Sequence, residues 1–398
     1  MNLLQIDIQR SKLIPFVAIS LLMTYLTVSF FDMDMMLASY ATVAGMLMAF
    51  FGSMLLLGRQ RTIHRFDLLI LLFLFVLEGI SLLNGTDWKN WLYASLSISA
   101  YLFIFNFYQE QYRTLILSIL FVLSIAVYCQ LYQCVIHPEM WLIEDNKDIH
   151  GFLLGGNYNQ MGSRIIIALT TGMLSIRYSK WFWLNLIPLF VSCFAILFMV
   201  KSMTALSCLF LFLIYFLIPG KRLLSFGTIC LYVGIILFQV IVCFSGTGLE
   251  NNDLARWFIV DVLEKDMTFT YRTHMWDSAL RVFFNSPIWG YGFVDSDWFR
   301  THMTNRAVGA HNYILNTMVY GGVLLLAFYV IIVFRSIWNL IRINDTCSIR
   351  MIAAFGVMST MMLFEVYETP LVFLMLTIMY YYPGQESLEK QNPDAGEQ

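Results

Sequence analysis

His311, Arg272 and Arg281 stand in the one stretch of this chain, Tyr271 to Leu326, where ionisable groups, turn residues and the start of an apolar helix lie together. It reads YRTHMWDSALRVFFNSPIWGYGF, then a polar passage, then GAHNYILNTMVYGGVLLL. His311 and Asn312 open an apolar run, where the first backbone N–H groups of a helix are unpaired and the dipole end is positive. Such a place suits an anionic ligand. It also favours a neutral imidazole that can accept a proton. The alternative is an interfacial histidine bonded to water or lipid. Arg272 and Arg281 fall nine positions apart on a predicted helix. Guanidinium forks bind phosphate oxygens in pairs and keep their charge. Either arginine could instead reach lipid headgroups or pair with Asp277.

A second polar passage, His137 to Arg164, ends in a Gly/Asn turn cluster that contains Asn157 and Asn159 and runs into an apolar segment at Arg164. These three are candidate contacts to a phosphate or glycan, with lipid phosphate as the other partner for Arg164. Lys201 and Ser202 form a turn between apolar runs that suits a phosphate contact or a plain hairpin cap. Glu78, Glu365 and Glu368 are acids within or near apolar segments, a placement that flags function by default. Glu78 alternatively reads as a neutral, hydrogen-bonded core group. His137, His150, His274 and His302 show no HxxxH or HxH spacing, so no metal site is expected. Cys129, Cys134, Cys193, Cys208, Cys230, Cys243 and Cys347 lack CxxC spacing and read as small core residues.

The elements that must position these groups are membrane helices. The 398 residues are 59% hydrophobic and 13% charged, with a mean hydropathy of +0.70, whereas a soluble domain carries charge on about a quarter of its residues. Apolar runs of roughly 17–25 residues recur along the chain, each long enough to span a bilayer. They predict an all-α polytopic membrane protein of about twelve spans: near 13–31, 35–57, 67–83, 91–108, 114–136, 163–178, 181–199, 203–219, 223–244, 311–334, 351–367 and 369–382. Basic residues favour alternate connectors, which places both termini in the cytoplasm and the two longest connectors outside. The chain then divides into spans one to nine over 1–244, with an outward loop at 137–163, an extracytoplasmic subdomain at 245–310, three spans over 311–382 and a polar tail at 383–398. Within the subdomain, Trp276, Leu280 and Phe283 form an apolar stripe on a helix expected to lie along the membrane surface. A net charge of -2 and the lack of a basic block exclude an electrostatic nucleic-acid partner. Neither a Walker A nor a Rossmann glycine motif is present, and no cofactor is expected.

Arg272, Trp276, Asn285-Ser286-Pro287, Gly290-Tyr291-Gly292, His311-Asn312 and Gly321-Gly322 occur in an order that resembles the signature of the bacterial O-antigen ligase and polysaccharide polymerase family. Gly155-Gly156-Asn157-Tyr158-Asn159-Gln160 and Ser202-Met203-Thr204-Ala205 are weaker matches. The resemblance implies a GT-C-like membrane enzyme of the inner membrane. It implies metal-independent transfer, at the outer face, of a glycan carried on undecaprenyl diphosphate. Arg272 would hold the diphosphate and His311 would act on the acceptor hydroxyl, with Arg164 and Lys201 as assistants. Met203 stands where the family often has a basic residue, so a phosphate contact at this turn would require Lys201 to substitute. The implied partners are a lipid-linked oligosaccharide donor, a glycan acceptor, membrane lipids and a chain-length regulator.

Three functions fit this reading to different degrees. A polymerase would extend another lipid-linked repeat unit and is favoured by the GGNYNQ loop; a ligase would transfer to lipid A core or protein. A transporter or flippase would be expected to show repeated halves and paired broken helices, and neither is evident.

Overall fold

Inside a hydrocarbon layer the backbone must satisfy its own hydrogen bonds, and an apolar segment does this most simply as a helix. Helix is the only regular structure among the described residues of the computed structural model, which are 3–27, 35–58, 63–138, 153–155, 159–245, 271–305 and 307–384. Among the described residues, nine α-helices precede the long polar connector: α1 (Leu3–Thr27), α2 (Met35–Leu57), α3 (Arg65–Asn84), α4 (Trp88–Phe107), α5 (Tyr112–Ile136), α6 (Met161–Ser175), α7 (Trp183–Met199), α8 (Met203–Leu217) and α9 (Lys221–Leu237). A π-helical segment, Phe238–Cys243, continues α9. After it come α10 (Arg272–Asn285), α11 (Ser296–His302), α12 (Tyr313–Ile343), α13 (Thr346–Met362) and α14 (Thr369–Tyr380).

A helix occupies the body of each expected apolar segment. Among the described residues, five stretches are long and apolar enough to cross a membrane: Arg65–Asn84, Gln109–Ile136, Lys180–Met199, Lys221–Cys243 and Tyr313–Ile343. The protein is therefore a polytopic membrane protein. Helices α13 and α14 are buried along almost their whole length and form the centre of the bundle. The α9 segment lies at the periphery, where Phe226, Ile229, Val233, Ile236 and Val240 are exposed. An exposed apolar row of this kind is stable only against lipid or another apolar partner.

The amphipathic stripe of α10 folds differently from expectation. Trp276 is fully buried and Phe283 nearly so, in a second core shared with Leu315, Met318 and Val319 of α12. The stripe thus faces protein, not a membrane surface, because the first turns of α12 offer it an apolar partner.

The conspicuous glycines explain how the subdomain is pinned. Helix α12 breaks at Gly321 and Gly322, the latter at φ 61° and ψ -157°. The 287–292 turn enters this break. Tyr291 and Gly292 N–H donate to the carbonyls of Val319 (3.0 Å) and Tyr320 (2.8 Å), and Val323 N–H donates to the Pro287 carbonyl at 2.8 Å. Backbone groups orphaned by the interruption are therefore satisfied by the turn. A side chain at Gly290, itself at φ 65°, would come within 2.6 Å of the Val319 carbonyl, and one at Gly322 would strike the Ile288 carbonyl. Both positions need glycine for space as well as for conformation.

Candidate functional site

One end of the bundle gathers chain segments that are far apart in sequence. Asn312 starts α12 as its N-cap: its Oδ1 accepts from Leu315 N–H at 3.0 Å. Its Nδ2 donates to the Leu363 carbonyl beyond α13 (3.1 Å) and to Gln239 Oε1 of the π-helical segment (2.8 Å). Gly162 of α6 packs against Ala205 of α8 and Met361 of α13. The turn after α9, the starts of α6, α8 and α12 and the connector between α13 and α14 are thus held together.

His311 sits immediately before the Asn312 cap with φ 46°, a left-handed conformation that is uncommon for a non-glycine residue and clusters at functional sites. Its Nδ1 lies 3.2 Å from Glu365 Oε1, within ion-pair reach but without the alignment of a hydrogen bond. Both side chains are largely buried, at 20% and 12% exposure. The carboxylate faces one ring nitrogen and would stabilise the ring after it gains a proton on the other.

Arg272 opens α10, one turn before Trp276 and on the same face. Trp276 Nε1 donates to the His311 carbonyl at 3.5 Å, which sets this face toward the histidine. Arg272 Nε is buried and has no hydrogen-bond partner. Tyr367 is 2% exposed and feels both Glu365 and Arg272. Burial first, then the Glu365 carboxylate, holds its hydroxyl well above the usual phenol range, and Arg272 pulls the other way. Tyr367 thus lies between the influence of the Glu365 carboxylate and that of the Arg272 guanidinium.

Buried polar groups in folded proteins are nearly always paired. Among the described residues, Arg272 Nε, Gln239 Nε2 and Ser202 Oγ are exceptions, while His311 Nδ1 has only the Glu365 carboxylate opposite it. These atoms belong to the N-cap of α8, the π-helical segment and the first turn of α10. No group of three or more His, Cys, Asp or Glu that could hold a metal ion occurs among the described residues.

The other expected contacts are placed differently. Arg164 is 3% exposed and committed to the fold: Nη1 and Nη2 each donate to Glu368 at 2.9 Å, Nη1 also to the Leu154 carbonyl at 3.1 Å, and Nε to the Thr27 carbonyl. Its anionic partner is a carboxylate of this chain, not a lipid phosphate. Asn312, expected to touch substrate, is wholly buried and has both terminal atoms bonded within the protein, so it frames the site. Arg281 points to the exposed side of α10, where it bonds Ser278 at 2.9 Å and lies 3.5 Å from Asp277. Nine residues along a helix put it about 13 Å of rise from Arg272 and on the opposite face. Lys201 is exposed in its turn at φ 54°, beside the buried Ser202. Asn159 is half-buried in the turn before α6, and Asn157 lies outside the described residues. Glu78 has one carboxylate oxygen buried without a partner.

Glu365 was readable as an acid near the end of an apolar run, but its pairing with His311 was not. Gln239 and Tyr367 went unnoticed, although a lone glutamine in the run from Leu223 to Phe244 is a polar signal of the same kind.

No curated protein matches the chain. Residues 187–330 match the family model described as O-antigen ligase, a stretch that contains Lys201, Gln239, Arg272 and His311 and stops short of Glu365. With the ordered motifs that frame the site, this match over about a third of the chain makes that stretch similar to the O-antigen ligase/polymerase family.

Proposed function

We propose that the protein is a polysaccharide polymerase that transfers a glycan from undecaprenyl diphosphate to the end of another lipid-linked repeat unit. The observation that carries this reading is the His311–Glu365 pair beside α10, whose Trp276 donates to the His311 carbonyl and whose Arg272 has a buried Nε without a partner. Displacement at an anomeric carbon needs a base on the incoming hydroxyl and positive charge on the departing diphosphate. In this reading His311 takes the acceptor proton through the ring nitrogen turned away from Glu365, and the carboxylate stabilises the resulting imidazolium. Arg272 neutralises the diphosphate as the glycosidic bond to it breaks. Lys201 and the N-terminus of α8 supply further positive potential to the same leaving group. The reading puts the transfer at the outer face of the inner membrane, which the bias of basic residues toward the alternate connectors supports.

The test uses purified protein in detergent with a lipid-linked repeat unit as sole substrate. Growth of a glycan ladder supports a polymerase. Transfer that occurs only when lipid A core or protein is added identifies a ligase instead. Absence of any product in detergent, with transport activity in sealed vesicles, would identify a transporter.

A further inference from the structure

The direction of every hydrogen bond beside His311 is set by the backbone. Leu315 N–H can only donate, so the Asn312 atom that it meets at 3.0 Å is oxygen. The other terminal atom of Asn312 is then nitrogen, in agreement with the Leu363 carbonyl that accepts from it at 3.1 Å. The Gln239 atom 2.8 Å from that nitrogen must in turn be Oε1, since two amide nitrogens do not bond to each other. Gln239 Nε2 is therefore left with two protons to donate. It is buried, on a residue 8% exposed, and meets no acceptor among the described residues.

The local backbone shows the same emphasis. Gln239 lies in the π-helical segment Phe238–Cys243, and single π turns inside helices occur frequently at functional sites. On a peripheral helix whose other residues largely face outward, this turn presents Gln239 and Cys243 to the interior. Holding Asn312 in place needs only the oxygen of Gln239; that role leaves the buried nitrogen unexplained.

We propose that Gln239 Nε2 binds a hydroxyl oxygen of the glycan, next to the His311 ring. This deepens the function proposed above and rests on it. A neutral carboxamide suits an uncharged sugar oxygen, whereas the diphosphate is matched by the cationic Arg272. Gln239 is thereby a specificity-determining contact to carbohydrate, separate from the contacts to the lipid diphosphate.

The test compares the full-length protein with Gln239→Glu, which keeps an oxygen for Asn312 and removes the donor. Each is titrated with undecaprenyl diphosphate and with its glycan-bearing form, and thermal melting reports folding. The expected result is an unchanged melting temperature, unchanged affinity for undecaprenyl diphosphate and about tenfold weaker binding of the glycan-bearing lipid, the scale of one lost hydrogen bond. Gln239→Leu, which also removes the oxygen, should lower the melting temperature. Equal affinity of Gln239→Glu and the parent for the glycan-bearing lipid, or an equal loss for both lipids, overturns the proposal. Failure of the unsubstituted protein to bind undecaprenyl diphosphate at all would instead strike at the proposed function itself.

Discussion

Arg164 and Arg272 occupy the same end of the bundle, each with a glutamate nearby, yet their surroundings differ. Arg164 meets both oxygens of Glu368 and two backbone carbonyls, so its charge and its planar donors are answered within the fold. Arg272 keeps a buried Nε with no partner, and the neighbouring Glu365 faces His311 instead. A buried donor left without a partner carries a desolvation cost of about 1–3 kcal/mol. The contrast separates a clamp that joins α1, α6 and the connector before α14 from the site proposed to take an anion.

The largest effect should come from the unanswered pair. His311→Ala and Arg272→Ala are expected to lower glycan transfer by about a hundredfold or more, since a positioned base and a charge-stabilising donor each contribute on that scale. Gel ladders of cell-surface glycan, alongside melting curves that stay at the parental temperature, would check this. Glu365→Gln keeps the size of the side chain and removes its charge. A loss of about tenfold in kcat with little change in KM is expected, because the carboxylate acts through the histidine and not on substrate.

Arg164→Ala should behave in the opposite manner, losing stability first. Glu368 is 37% exposed, so we expect about 2 to 3 kcal/mol, short of the roughly 3–5 kcal/mol for breaking a fully buried pair. Arg164→Lys should not restore it, because an ammonium cannot reproduce the two-pronged contact. Denaturation of the purified variants reads this directly. Smallest of all, Arg281→Ala should leave stability within about 0.5 kcal/mol and transfer unchanged, as its exposed contact with Asp277 is a surface ion pair.

Much of this molecule could be read from residue order, and the exceptions have physical causes. Apolar run length locates the helices, since the bilayer allows few other solutions. The periodicity of Trp276, Leu280 and Phe283 identifies the buried face of α10 but not what covers it. Burial by α12 depends on a break at Gly321 and Gly322, which in turn needs the 287–292 turn to cap it. No local signal announces that two glycine motifs about thirty residues apart in the chain will interlock. The same limit applies to Arg164, where an anionic partner was foreseeable but a glutamate 204 positions later was not. Arg281 shows the reverse case: composition made it look like a second phosphate contact, and helical geometry turns it away from Arg272. Gln239 gains its meaning only from the hydrogen-bond chain that begins at Leu315.

The most direct measurement is the affinity of undecaprenyl diphosphate for the parent, Arg272→Ala and Arg164→Ala proteins, read beside their melting temperatures. The account predicts that Arg272→Ala loses at least about tenfold in affinity with an unchanged melting temperature, while the folded fraction of Arg164→Ala binds as the parent does despite melting earlier. Full binding by Arg272→Ala, or a selective loss of binding by a stable Arg164→Ala, would contradict it.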